Sequence, residues 1–556
     1  MRYMITKSVT TMKNVFKILW LLAFSALLSC SGDDAPNQPQ MPSEENNLLQ
    51  LQNGKIVDAN KNPVYLKGVA FSNWVWEDEP QNLHHNETDF IRLKSMGMNS
   101  IRFYLNYKYF EDDQNPYQYK QTGWYWLDQN ISWAKEHGVY LVLNMHVPQG
   151  GYQSQGNGDA LWGNVENQNR LAALWKEIAK RYKDDVLIAG YGPVNEPVPT
   201  VSVSQWSQLA QRLINEIRSE DRRHLIFIER AIYVKGNFVP DENQNFPIVS
   251  GSGVVYEFHG YDPHNYTHQL FDWANPNDGG KYPDENIFEV ISGSWYTATF
   301  NNPKAPKGTS NWAYFEGEKY KITDANIKFA YPTLVGASAG GKVGFDAIEV
   351  NEYNPDGSFS KLLYASDLVN SSGWSFWSEN NSGSFGSNDS DGVNDLKSLY
   401  IQGTSADSNL TGWGFPFVPK QGYSYQINGW MKGENLSSSS DCKFRLDFYT
   451  STEPVLSRNK EYLEYTMSKV LQWAKTKNAP LYMGEFGAGA PCFENGKGGI
   501  NYVRDMVEIA KENNIHFTYH AYHEDAFGIY RGYNSLPSSG NANQPLIDLF
   551  TTLLED

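Results

Sequence analysis

The chain has 556 residues, too many for one typical core, so length alone implies two or three domains. Its net charge is −17, with no block of Lys or Arg, which argues against nucleic acid and anionic membrane surfaces as partners and suits a soluble protein acting on a neutral polymer. The 17 Trp and 35 Tyr offer ring faces of the kind that stack on sugars, although a large core with tyrosine-rich loops would use the same composition.

The first segment reads as targeting. Lys7, Lys13 and Lys17 precede the apolar run Ile18 to Phe24, which is too short to span a bilayer and fits the core of a signal peptide. Leu27-Leu28-Ser29-Cys30 resembles a bacterial lipobox, which implies cleavage before Cys30 and its lipidation. Ser31-Gly32-Asp33-Asp34 resembles a surface-export signal of some Gram-negative lipoproteins. The expectation is a signal peptide over 1–30, a flexible tether over 31–47 and an outer-membrane lipoprotein at the cell surface or, alternatively, facing the periplasm, with the anchor as its only membrane contact.

From residue 48 the pattern becomes regular. Asn53-Gly54 predicts a hairpin. Strands are then predicted at Val64–Phe71, Ser100–Leu105, Tyr140–His146, Ile188–Pro197, His224–Glu229, Val254–Tyr261, Pro480–Gly487 and Phe517–Tyr522. Helices are expected between them over 86–97, 124–137, 165–183, 203–219 and 460–476, with a closing helix over 543–554. Eight buried strands alternating with helices predict an α/β fold, a (β/α)8 TIM barrel formed by 48–283 and 454–556.

Between the sixth and seventh strands, over 284–453, helical periodicity vanishes. This segment is rich in Ser, Asn and Gly, with short alternating runs such as Lys443 to Tyr449. It predicts an inserted all-β jelly-roll or β-sandwich domain. Gly344 to Val350 looks like the last strand of a carbohydrate-binding module, and Gly422 to Gly433 like part of its first half, so the order matches a circular permutation. The insert is expected to bind glycan or, alternatively, to act as a spacer shaping the cleft. Its acidic turn Asp389-Ser390-Asp391 is a candidate Ca²⁺ position, against the ordinary reading of a solvated turn; no other cofactor or metal is expected. Cys442 and Cys492 fall in different domains and form no disulfide framework or zinc spacing.

Glu196 and Glu485 end the fourth and seventh predicted strands. In a parallel barrel the chemistry sits at that end, and two carboxylates on one cleft are what glycosidic cleavage needs. The surrounding motifs resemble glycoside hydrolase family 5, over about residues 50–275 and 455–556. The resemblance is carried by Arg102, His146, Asn195-Glu196-Pro197, His259-x-Tyr261 and Gly484-Glu485-Phe486-Gly487, in this order and each at a strand end. It implies Glu485 as nucleophile and Glu196 as acid and then base. It also implies that Arg102 and Tyr261 support the nucleophile, that Asn195 meets the sugar 2-hydroxyl, and that His146 and His259 shape the subsite. His520 stands where many members carry a Trp under the sugar. Trp74, Trp76, Trp124, Trp162, Trp206 and Trp273 fall in or near loops above the barrel, with Trp74 and Trp162 the candidates for sugar contact. Glu229 ends the fifth strand without an assigned role.

The implied activity is that of a monomeric, retaining endo-β-1,4-glycanase on a plant-type polysaccharide, β-glucan first and β-mannan or glucomannan as the alternative. From another class, a surface glycan-binding protein with a decayed barrel would share the anchor and the insert.

Overall fold

The computed structural model describes residues 48–77, 85–236, 245–371, 373–380, 382–532 and 534–555. Cys30, the targeting segment and the whole of the predicted tether lie outside them. Eight strands close into a parallel barrel: Lys67–Phe71, Ser100–Asn106, Tyr140–Val147, Ile188–Gly192, Leu225–Glu229, Val254–Gly260, Leu481–Phe486 and His516–Tyr519. The sixth and seventh strands pair directly although more than 200 residues separate them in sequence. No helix among the described residues is long and apolar enough to cross a membrane.

Alternation along each strand divides the barrel into two packed zones. Outward residues such as Ile101, Leu143, Ile226 and Met483 pack under the helices in the larger core. Val142, Ala189, Phe227, Val255 and Tyr482 fill the interior, joined by Leu49 and Ile56 of the N-terminal hairpin. That hairpin turns at Asn53 and Gly54, both at positive φ, as an Asn-Gly two-residue turn requires. Two residues further along the same inward faces, the apolar side chains give way to polar ones: Val142 to Asn144 and His146, Phe227 to Glu229, Val255 to Glu257 and His259. The C-terminal ends of the strands thus form the polar end of an otherwise apolar barrel interior.

The insert is a β-sandwich with its own core, built around residues such as Val343, Ile401, Ile427 and Phe444. One sheet has five strands and the other seven. Asp284–Val290 and Val455–Arg458 pair antiparallel, so the chain enters and leaves the sandwich through one two-stranded neck. Cys442 and Cys492 are free and buried. The acidic turn assembles no cation site: Asp391 accepts from Lys432 at 2.5 Å and from the Trp312 indole at 2.9 Å. No three-ligand cluster among the described residues includes Asp389 or Asp391.

Candidate active site

Glu485 reaches the interior through a β-bulge. Phe258 pairs with Met483 and His259 with Glu485, leaving Gly484 as the extra residue. The bulge turns the Glu485 side chain inward, beside the inward Tyr482. The buried carboxylate, 4% exposed, receives three donors: Arg102 Nη1 at 2.6 Å and the Tyr104 hydroxyl at 2.6 Å on Oε1, and the Tyr261 hydroxyl at 2.8 Å on Oε2. Burial alone would raise its pKa, but the charges of His259, His520 and Arg102 outweigh that and hold it well below the usual carboxylate range. Burial, then Glu485, push both Tyr104 and Tyr261 well above the usual tyrosine range, so both stay protonated donors.

Glu196 follows the fourth strand with its backbone in the left-handed region, φ +45°. A non-glycine residue there carries strain of about 1–2 kcal/mol. The holding contact comes from Glu229, whose Oε2 accepts the Glu196 backbone N–H at 2.8 Å. This gives the unassigned carboxylate of the fifth strand a place in the site. The Glu229 pKa is pushed up to about 8, by burial first and by Glu257, against the pull of His259 and Arg102.

His259 joins the two halves. Its Nδ1 lies 2.9 Å from Glu196 Oε1 and 3.7 Å from Glu485 Oε2, and its Nε2 lies 3.3 Å from Glu229. Burial lowers its pKa, but Glu229, Glu485 and the bond to Glu196 raise it well above the usual value. One oxygen from each of Glu196 and Glu485, with a His259 nitrogen, lie within 4.8 Å of one another. Arg102, fully buried, also meets Glu257 at 2.8 Å and donates to Asn195 Oδ1 at 2.8 Å. The Asn195 amide nitrogen is buried with no hydrogen-bond partner among the described residues.

His146 stacks on Tyr104 with ring centroids 3.9 Å apart, and burial drives its pKa well below the usual value, so it is neutral. His520 lies at the same polar end of the barrel, between Tyr104 and Glu524. Tyr104 gives its one proton to Glu485, so His520 Nδ1, 3.0 Å away, donates to the Tyr104 oxygen. Its Nε2 faces Glu524 at 3.3 Å. Burial opposes the charge on His520, and Glu524 with Glu485 raise its pKa above the usual value.

Tyr104, Glu257 and Glu524 were not singled out from the sequence. Two of them were within reach, because Tyr104 is two residues after Arg102 and Glu257 two before His259, on the same inward faces. The expected sugar contact at Trp162 is corrected: it is 6% exposed, donates to Gln153 at 2.7 Å and lies edge-on to Trp206, so it belongs to the packing. Trp124 and Trp206 are buried as well. Trp74 is half-buried, and its carbonyl accepts from Tyr109 at 2.9 Å. Trp76 is the exposed indole beside His146, at 5.9 Å, and beside Tyr152, at 5.2 Å.

Residues 57–315 match the model of the cellulase family, glycosyl hydrolase family 5. The match runs through six barrel strands into the insert; the strand carrying Glu485 lies beyond it and is brought alongside by the barrel. A β-xylosidase from Phanerodontia chrysosporium is 29% identical over 218 residues, 33% of this chain and 46% of that protein, so the chain spans about half of that relative's length. Endoglucanase C from Acetivibrio thermocellus is 28% identical over 250 residues, 43% of this chain and 68% of that protein. A solved endoglucanase aligns over 88% of this chain and 97% of its own, at 14% identity and a TM-score of 0.47. With the closed eight-stranded barrel and the matched segment together, residues 57–315 carry a domain of the cellulase type, glycosyl hydrolase family 5, a family of O-glycosyl hydrolases.

Proposed function

We propose that the protein is a retaining endo-β-1,4-glycanase acting on a neutral plant-type polysaccharide, β-glucan first and β-mannan or glucomannan second. The observation that carries the stereochemistry is the close approach of Glu196 and Glu485, oxygens within 4.8 Å through His259. Retaining pairs lie about 5–5.5 Å apart, whereas inverting pairs leave about 6.5–9.5 Å for a water. Glu485 attacks the anomeric carbon, Oε2 being the oxygen with fewer donors, while Glu196 protonates the departing glycosidic oxygen. A covalent glycosyl ester on Glu485 results. Water then attacks the same carbon, Glu196 takes its proton, and Glu485 leaves as carboxylate. Asn195 supports the reading with an unpaired amide donor, and the three donors on Glu485 favour its ionised form.

Proton NMR of the first product formed from a soluble β-glucan tests the mechanism. The β-anomer is expected, and initial α-anomer would refute retention. Glu485→Ala is expected to abolish new reducing ends on a panel of β-1,4-glucan, mixed-linkage glucan, xyloglucan and mannan; near-parent turnover would sink the nucleophile assignment. We further propose lipid anchoring at Cys30 to the outer membrane. Cys30→Ala should release the protein from membranes and abolish palmitate labelling, and an unchanged fractionation would refute it.

A further inference from the structure

A cavity of about 440 Å³ lies away from the catalytic pocket, where the barrel loop after the sixth strand meets the sandwich and its neck. Its walls are tied across the two domains. Ser371 donates to Asn277 Oδ1 at 2.6 Å, and Asn277 Nδ2 donates to the Trp374 carbonyl at 3.2 Å. From the neck, buried Arg458 holds Glu289 at 2.5 Å and Asn265 at 3.2 Å.

The lining selects a ligand chemistry. On the sandwich side, Phe329 and Tyr449 stack in parallel with centroids 5.0 Å apart, and Tyr331 stands edge-on to Tyr449 at 5.6 Å. On the barrel side stand the amides of Asn265, Asn275 and Asn277. Among the described residues no Lys, Arg or His lines the cavity, so an anion finds no counter-charge there. The two carboxylates present are already matched, Glu289 by Arg458 and Asp278 by Lys497 at 2.5 Å, so a cation has no free partner either. Ring faces and amides, with no free charge among the described lining residues, together fit a neutral polyhydroxylated ring.

Surface continues from the cavity in two directions. Trp377, 47% exposed, lies 6.5 Å from Trp413 and extends the aromatic wall outward. Toward the catalytic centre, the loop that supplies the cavity's amides begins at Tyr261, the donor to Glu485. His268 follows at 5.1 Å from Tyr261, and exposed Trp273 at 5.8 Å from His268.

We propose that this seam is a second glycan-binding site, formed jointly by barrel and insert, which holds a neutral saccharide segment of the polymer that the barrel cleaves. The identity of that polymer rests on the function proposed above; the site itself does not. The test is affinity electrophoresis of the full-length protein through gels containing hydroxyethylcellulose or glucomannan, paired with turnover of an aryl β-cellobioside. Tyr449→Ala removes the stacking face, Tyr331→Ala removes the edge-on ring beside it, and exposed Trp377→Ala serves where a core substitution lowers the thermal midpoint. Each variant is expected to bind polymer about five- to tenfold more weakly, with aryl-cellobioside turnover unchanged. Variants retarded as strongly as the parent, or a parent retarded in neither gel, would overturn the seam site. A parent that cleaves nothing yet loses retardation in these variants would refute the barrel's assigned activity and support the seam.

Discussion

Arg102 offers the sharpest test of how the site is held. Its guanidinium is fully buried among Glu485 at 2.6 Å, Glu257 at 2.8 Å and Glu229 at 3.5 Å, and also binds Asn195. Arg102→Met preserves the length of the side chain and removes the only Lys or Arg paired with these three carboxylates among the described residues. Breaking a buried pair from one side costs about 3–5 kcal/mol, because the partner charge stays in the interior. At roughly 2 °C per kcal/mol for a large domain, the barrel's midpoint should fall by about 6–10 °C at pH 7. The loss should depend on pH. Without Arg102, Glu229 and Glu485 lose a charge that lowers their pKa, so both hold protons more tightly in the folded variant than in the parent and the variant's deficit grows as pH rises. The deficit should therefore shrink between pH 7 and pH 5, and Glu257→Gln in the same chain should recover part of it at pH 7. Differential scanning calorimetry across that range measures both effects. A midpoint within 2 °C of the parent at every pH, with no recovery in the double variant, would refute the claim that Arg102 neutralises the cluster.

Tyr104→Phe removes a 2.6 Å donor to Glu485 while leaving the ring to stack on His146. Since a hydrogen bond to a charged group is worth about 1.5–3 kcal/mol, kcat/KM should fall about 10- to 100-fold. The donor favours the ionised nucleophile, so its loss should move the acid limb of the pH profile upward; an unmoved limb counts against the assignment. Glu524→Gln removes the carboxylate that does most to raise the His520 pKa, so His520 should lose its proton at lower pH. NMR titration of the His520 ring reads this directly, and an unchanged midpoint would dismiss the pair.

The barrel was readable because each strand is a continuous apolar run, fitting a parallel sheet covered by helices, and because the polar residues cluster at strand ends. Glu196 followed from that pattern and Arg102, Asn195, His259 and Tyr261 from the family resemblance, and the structure brings them together around Glu485. Tyr104 and Glu257 were accessible to the same alternation argument. The fate of Trp162 was not, because a short loop helix gives no period from which to decide whether an indole faces a cleft or the core. Nor was the His520 relay: its partners Tyr104 and Glu524 lie on another strand and past a turn, and only the closed barrel sets their distances.

The inward turn of Glu485 was also hidden, since alternation from Tyr482 would put Gly484 inside and Glu485 outside. The bulge at Gly484 changes that parity, and it explains why this position has no side chain. A Cβ there would sit 1.8 Å from Glu257 Oε1, an atom held within 2.8 Å of Arg102. Glu257 cannot step aside without leaving Arg102 and burying an unmatched charge. Gly484→Ala should therefore act through Glu257, although the added methyl is not aimed at the substrate. The expected outcome is a loss of about 3 kcal/mol in stability, in the range for a broken buried pair, together with a fall in kcat as Arg102 shifts from Glu485. Glu257→Ser in the Gly484→Ala chain removes both the clash and the stranded charge, so it should restore much of the stability but not the full kcat. Full recovery of both would mean that Glu257 contributes nothing through Arg102. If Gly484→Ala alone behaved like the parent, the close packing of Gly484 against Glu257 could not be what positions the nucleophile.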